Sequence, residues 1–198
     1  MGTSKILIEV REARKDDLSG VVDLWEKLAT YHSELSDEFA LAWDGKRSWS
    51  KYLHKKFSEI STKLIVAEEG DRLVGFLLAM LSPNYPIFKE RKIGLISDVY
   101  VLEARRGKGI TKKMLDVAIK WFKKNKVRSV HLTAAVANKE GQEVWRLLGF
   151  EPYMIYERLD LDQLGGKSYS TAKTKIVRKK KQRRKGLASR IRLPRGLS

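Results

Sequence analysis

The chain has no cysteine. This excludes disulfides, thiolate metal ligands and a cysteine nucleophile. Histidine is scarce, and His32, His54 and His131 are scattered without metal-ligand spacing, so no metal is expected. No apolar run reaches the ~18 residues of a spanning helix. The N-terminus lacks a charged segment followed by a hydrophobic stretch, so a cytoplasmic protein is the plain expectation. Acidic residues are missing from residues 166–198, which carry 13 of the 41 Lys and Arg; the rest of the chain sets 28 basic residues against 24 acidic ones. The net charge of +17 is therefore mostly a property of the tail, attached to a charge-balanced body.

What is present is a 198-residue chain with 42% hydrophobic residues, enough for one domain with a core. The most informative stretch is residues 98–111, Asp-Val-Tyr-Val-Leu-Glu-Ala-Arg-Arg-Gly-Lys-Gly-Ile-Thr. A β-branched run enters a basic, glycine-punctuated turn that continues into a helical pattern over residues 108–125, with Met114, Leu115, Ala118, Ile119 and Phe122 on its inner face. Amides at a helix start have no intrahelical acceptor, and the helix dipole adds positive potential there, so the turn suits a phosphate or pyrophosphate. A Walker loop needs a different glycine spacing. A dinucleotide fingerprint needs a third glycine where Lys112 stands.

Other elements follow from periodicity. Residues 6–14 read as a strand. A helix starts at Asp16 or Asp17 as cap and runs to about Thr30, with Leu18, Val21, Val22, Trp25 and Leu28 as its stripe. Residues 48–60 read as a helix with Trp49, Tyr52, Leu53, Phe57 and Ile60 on one face. Residues 64–77 form a hairpin about Gly70-Asp71, and residues 82–86 break the chain. Strands are expected at 93–101, 129–135 and 153–161, and a helix at 139–148. Residues 165–171 look like a hinge, and residues 178–185 form a basic block that repels itself.

The segment Ala104-Arg105-Arg106-Gly107-Lys108-Gly109 resembles the coenzyme A loop of the GNAT (GCN5-related N-acetyltransferase) superfamily, matching both glycines and departing at Ala104, where the family has Gln or Arg. The hairpin with Val74-Gly75-Phe76, the 130–138 run ending in Asn138 and the Leu148-Gly149-Phe150 corner stand in the family's order, so the likeness runs from about Val10 to Leu161. It implies an α/β (α+β) fold: a mixed, mostly antiparallel central sheet of six or seven strands flanked by about four helices. The domain would span residues 6–162, followed by a flexible basic tail over 163–198.

The resemblance also implies acetyl-CoA as cosubstrate and acyl transfer to a primary amine by direct attack. The pyrophosphate would be held by the amides of Arg106, Gly107, Lys108, Gly109, Ile110 and Thr111. The pantetheine arm would pair with the strand edge at Val99 and Val101, and Asn138 would either bond the cosubstrate or cap the following helix. Strand alternation sets Asp98 and Tyr100 on one face and Val99 and Val101 on the other. Asp98 is the candidate base for the attacking amine, with Glu103 a weaker one. The family's acid, a tyrosine four residues before the corner glycine, is replaced by Trp145, whose indole is no practical acid. Tyr100, Tyr153 and Tyr156 are substitutes, unless the thiolate leaves unassisted. Residues 31–39, with acids and aromatics, would suit a cationic acceptor. The competing reading is a nucleic-acid- or ribosome-associated protein. In it the fold binds acyl-CoA and residues 166–198 contact RNA or DNA phosphates. A homodimer is compatible with either reading.

Overall fold

The computed structural model describes residues 7–161. The hinge and basic tail inferred above lie outside the described residues. The chain divides into two units, Met1–Glu151 and Pro152–Ser198.

In the first unit the elements run β1 (Ile8–Glu12), α1 (Leu18–Leu35), α2 (Gly45–Phe57), β2 (Thr62–Glu69), β3 (Arg72–Pro83), β4 (Lys92–Val101), α3 (Ile110–Lys124), β5 (Val130–His131) and α4 (Lys139–Leu147). The strands form one sheet in the order β1-β2-β3-β4-β5. Every pairing is antiparallel except β4 with β5, the two strands joined through α3. The α/β class and the mixed, mostly antiparallel sheet with four helices are as expected.

Alternation divides the core between the two faces of the sheet. Leu64 and Val66 of β2 and Phe76 and Leu78 of β3 face α1 and α2, where Val21, Val22, Leu24 and Leu53 are buried. Ile65, Ala67, Leu77 and Ala79 face α3, where Met114, Leu115, Ala118 and Phe122 are buried. Strands covered on both faces lose the apolar–polar alternation of a one-sided sheet, which is why β3 reads as a continuous apolar run from Val74 to Leu81.

Two bulges break the strict alternation. Ala67 pairs with Gly75 but Glu68 with Leu73, leaving Val74 as an extra residue. Leu78 pairs with Asp98 but Ala79 with Ile96, leaving Ser97 extra in β4. A bulge bends its strand and flips the faces beyond it. Ile96 therefore joins Val99 and Val101 on the α3 side, while Asp98 is turned to the α1 side.

Several expectations need correcting. Among the described residues the sheet has five strands, not six or seven. Residues 153–161 carry no strand; apolar alternation is not sufficient for one, since a strand also needs a ladder. β5 spans two residues rather than 129–135. Helix α1 extends to Leu35, past the break expected after Thr30, and α2 ends at Phe57, leaving Ile60 exposed rather than on the helix face. Asp17 does not cap α1 through its side chain. Its carboxylate takes the Arg14 amide (2.6 Å) and pairs with Arg11 (2.7 Å), which also reaches Glu68.

Gly94 is the last ladder position but one between β4 and β5, and a Cβ there would lie 2.8 Å from the Phe122 ring. Phe122 is fully buried in the α3 core, so the ring or the strand would have to shift. Gly94→Ala is expected to cost about 1–3 kcal/mol by overpacking. Urea unfolding should show the Gly94→Ala/Phe122→Leu double variant losing less than the sum of the two singles.

Candidate active site

The site is built where β4 leaves β5. The two strands pair only at Gly94–Val130 and Leu95–His131. Two residues later comes the Ser97 bulge, and from there β4 keeps β3 on one side and presents its other edge unpaired by β5. Leu102 donates its amide to Val74 O (2.8 Å), on the β3 side. Amide directions alternate along a strand, so the N–H and C=O groups of Val101 and Val99 point to the open edge. Arg106 Nε, donating to Val101 O (3.4 Å), agrees with that direction.

After β4, residues Glu103–Arg105 make one 3-10 turn, and Arg106 N is spent within it on Glu103 O (3.0 Å). The loop amides at the helix start therefore begin at Gly107, one residue later than expected. Gly107 (φ 74°) and Gly109 (φ 71°) are left-handed, a conformation that costs other residues ~1–2 kcal/mol. A Cβ on either would meet nothing within 4 Å. These glycines are needed for backbone direction and leave the loop face open. The first bond into α3 is Lys113 N to Gly109 O (3.1 Å), so the amides of Ile110, Thr111 and Lys112 belong to the helix start. The loop's cations are unevenly engaged: Arg105 is bonded to Glu69 (2.6 Å) and Lys112 to Asp116 (2.8 Å), while Lys108 is exposed.

On the other face, Asp98 and Tyr100 lie under α1. Asp98 is half-buried, and Ser97 Oγ donates to its Oδ2 (2.6 Å). Burial pushes its carboxyl above the ordinary carboxylate range, against the opposing pull of Ser97, the Trp25 indole and His32. Burial lowers the His32 imidazole, with Asp98 acting in the other direction. Tyr100, like Trp25, Leu28 and Trp49, is partly buried against the α1–α2 side of the core.

Across the wedge, Asn138 Oδ1 accepts from Gly141 N (2.8 Å) and so caps α4. Tyr31 OH also donates to it (3.4 Å). Arg106 sits between the two sides, its guanidinium 5.7 Å from the Tyr31 ring, 6.0 Å from the Tyr100 ring and 3.8 Å from Glu140. Gly149 ends α4 in the left-handed region (φ 90°), and Trp145 packs edge-on to Phe150 at 5.3 Å. The open depression lined by Lys15, Ser19, Asp23, Lys46 and His54 shares no residue with these groups.

The structure thus brings Asp98, Tyr100, Val99, Val101 and the 106–111 loop to one end of the sheet. It adds Trp25 and Ser97, to which residue-level reading gave no site role, and Tyr31 and His32, which that reading named only within the 31–39 acceptor segment. A helix continued one turn past Thr30 would have set His32 on the face of Trp25 and Leu28; the bulge at Ser97 leaves no such trace.

A splayed parallel strand pair with an anion-ready helix start beside it is the arrangement that the resemblance to an acyltransferase family implies. The model of the acetyltransferase (GNAT) family matches residues 25–150, and the chain belongs to that family. It is 32% identical over 114 residues to an uncharacterized N-acetyltransferase of Archaeoglobus fulgidus, covering 58% of this chain and 73% of that one. A predicted acetyltransferase of Clostridium acetobutylicum, solved with acetyl-CoA, superposes with TM-score 0.66 at 21% identity, covering 79% of this chain and 98% of that one. The aminoglycoside antibiotic 6'-N-acetyltransferase AAC(6')-IG of Acinetobacter haemolyticus has TM-score 0.61 at 20% identity, covering 78% and 99%. At these identities the two structures bear on the fold alone.

A carboxyl raised by burial stabilises the folded chain below its unfolded pKa, and that contribution is lost as pH rises through the folded value. Removing the charge should therefore help at neutral pH. Asp98→Asn is expected to unfold at higher urea than the parent at pH 7, with the gap closing as pH falls below the ordinary carboxylate range. A gap that widens on acidification would contradict the sign.

Proposed function

We propose that this protein transfers the acetyl group of acetyl-CoA to a primary amine by direct attack. The observation that carries the reading is the pair of left-handed glycines, Gly107 and Gly109, with open space beside both, at the foot of a strand whose Val99 and Val101 groups face a wedge. The fit is specific. The amides of Gly107, Lys108, Gly109, Ile110 and Thr111, with Lys108 as a nearby charge, suit a pyrophosphate. The open edge at Val99 and Val101 suits a peptide-like arm.

Acetyl-CoA supplies an acetyl thioester. The chain's own residues do the rest. An amide of the open edge donates to the thioester oxygen as negative charge grows there. Asp98, its carboxyl raised by burial, accepts the proton of the amine directly or through a water, as a base poised nearer neutrality does best. Tyr100, one of the three tyrosines offered as substitutes for the missing acid, shares the face of Asp98. Asn138, its oxygen occupied by the α4 cap, keeps its amide nitrogen for the cosubstrate. The acceptor enters between α1 and α2, where Trp25, His32 and Asp98 favour an amine over an acid.

Thiol release from acetyl-CoA in the presence of primary monoamines, diamines and lysine peptides tests the reading, and a folded chain that binds no CoA rejects it. Gly107→Glu is expected to weaken CoA binding at least ~100-fold, by left-handed strain of ~1–2 kcal/mol plus like-charge repulsion. Isothermal titration reads it, and unchanged affinity would show the pyrophosphate misplaced. Asp98→Asn should lower kcat by about 100-fold or more.

The tail's charge supports a second, separate role in RNA or ribosome contact. A chain ending at Gly165 should keep its turnover and lose salt-sensitive RNA retention.

A further inference from the structure

Trp145 occupies the position of the family's acid and packs against Phe150, its indole part of the core beneath α4. Tyr31 stands elsewhere in sequence but reaches the same wedge. It lies in the last turns of α1, and its hydroxyl crosses to the α4 cap at Asn138 (3.4 Å). That bond is long, and the oxygen it uses already serves Gly141 N at 2.8 Å. The hydroxyl is therefore weakly held and can turn to another acceptor. Arg106 lies over the Tyr31 ring at 5.7 Å and bonds Val101 O, so its guanidinium ties this ring to the open strand edge. The hydroxyl and the guanidinium thus stand in the same wedge.

We propose that Tyr31 is the residue that protonates the departing sulfur, a role resting on the transferase reading above. The carbon–nitrogen bond forms as the carbon–sulfur bond breaks. The electron pair of the broken bond stays on sulfur, which takes the Tyr31 hydroxyl proton to give the free thiol. The phenolate is held by Arg106 and recovers the proton that the amine gave to Asp98, through solvent. Tyr100 is the alternative: Arg106 lies over its ring too, at 6.0 Å, but the strand sets it on the α1 face with Asp98, the acceptor face.

The test compares the full-length chain with Tyr31→Phe and Tyr100→Phe. Tyr31→Phe keeps the ring under Arg106 and removes only the hydroxyl. The first readout needs no turnover: the thiol of bound CoA is titrated by its thiolate absorbance. A hydroxyl donating to sulfur stabilises the thiolate, so Tyr31→Phe should raise the bound thiol pKa by about one unit, and Tyr100→Phe should leave it unmoved. The second is the pH profile of kcat with an amine accepted by the parent. Tyr31→Phe should lower kcat about 10- to 100-fold, remove the alkaline limb and leave KM for acetyl-CoA within about threefold. An unshifted thiol pKa with an unchanged profile overturns the role of Tyr31 while the transferase reading stands. The same effects in Tyr100→Phe alone give the role to Tyr100. A parent chain that binds CoA and turns over no amine sinks both readings.

Discussion

The parting of β4 from β5 after two paired residues is the constraint on which the rest of the site depends. A parallel pair normally continues for the length of both strands, since every unpaired backbone group forgoes a hydrogen bond. Here pairing stops where Phe122 presses on Gly94 from below and the Ser97 bulge bends β4. The bulge does two things at once. It bends β4 just past its last pair with β5, Leu95–His131, and it changes the face of the following residue, which turns Asp98 away from α3 and toward α1. The open edge at Val99 and Val101 and the half-buried carboxylate thus both follow the bulge on one strand.

The two faces of the sheet then take different work. The α3 face is apolar and tightly filled, and it fixes the helix whose start forms the phosphate-ready loop. Ile110 and Met114, buried one turn apart, hold the first turn of α3 against the sheet, so Gly107 and Gly109 are presented from a rigid base. The α1–α2 face is aromatic rather than aliphatic near its end, with Trp25 stacked on Trp49 at 4.6 Å and Trp49 edge-on to Phe76. Aromatic walls carry hydrogen-bonding edges into an apolar wall, which is how Trp25 can pack in the core and still offer its indole N–H to Asp98.

Much of this was legible beforehand because it rests on local rules. The Gly-Lys-Gly turn, the hairpin about Gly70, the α3 stripe and the left-handed Gly149 each follow from a few adjacent residues, and each stands where periodicity and turn chemistry put it. The alternation of Asp98, Val99, Tyr100 and Val101 also holds, because all four lie past the bulge. What escaped is what depends on residues distant in sequence. Tyr31 meets Asn138 across 107 positions, and its neighbourhood marks it only as part of the 31–39 segment read as suiting a cationic acceptor. The extra residue at Ser97 has no sequence signature, since serine is as ordinary in a strand as in a bulge. The stretch over 153–161 shows the converse error: its alternation is real, but a strand is a property of a pair.

Arg106 shows how such a site is kept intact before a ligand arrives. An unpaired strand edge and a buried ring system beside a wedge invite collapse or adventitious pairing. Arg106 counters this with a planar group that bonds the Val101 carbonyl at the edge, covers Tyr31 and Tyr100, and faces Glu140 at the start of α4. Its side chain remains about one-third exposed, so these contacts are screened and individually weak. That weakness suits the position. A tightly buried ion pair across the wedge would have to be broken at a cost of several kcal/mol whenever the edge acquired a new partner. A half-exposed guanidinium can exchange the Val101 carbonyl for water or a ligand phosphate at little cost. The carboxylate on the opposite face follows the opposite logic. Asp98 is held by Ser97 with its pKa raised by burial, which is what the proposed base would require, and a carboxyl so raised lowers stability at neutral pH.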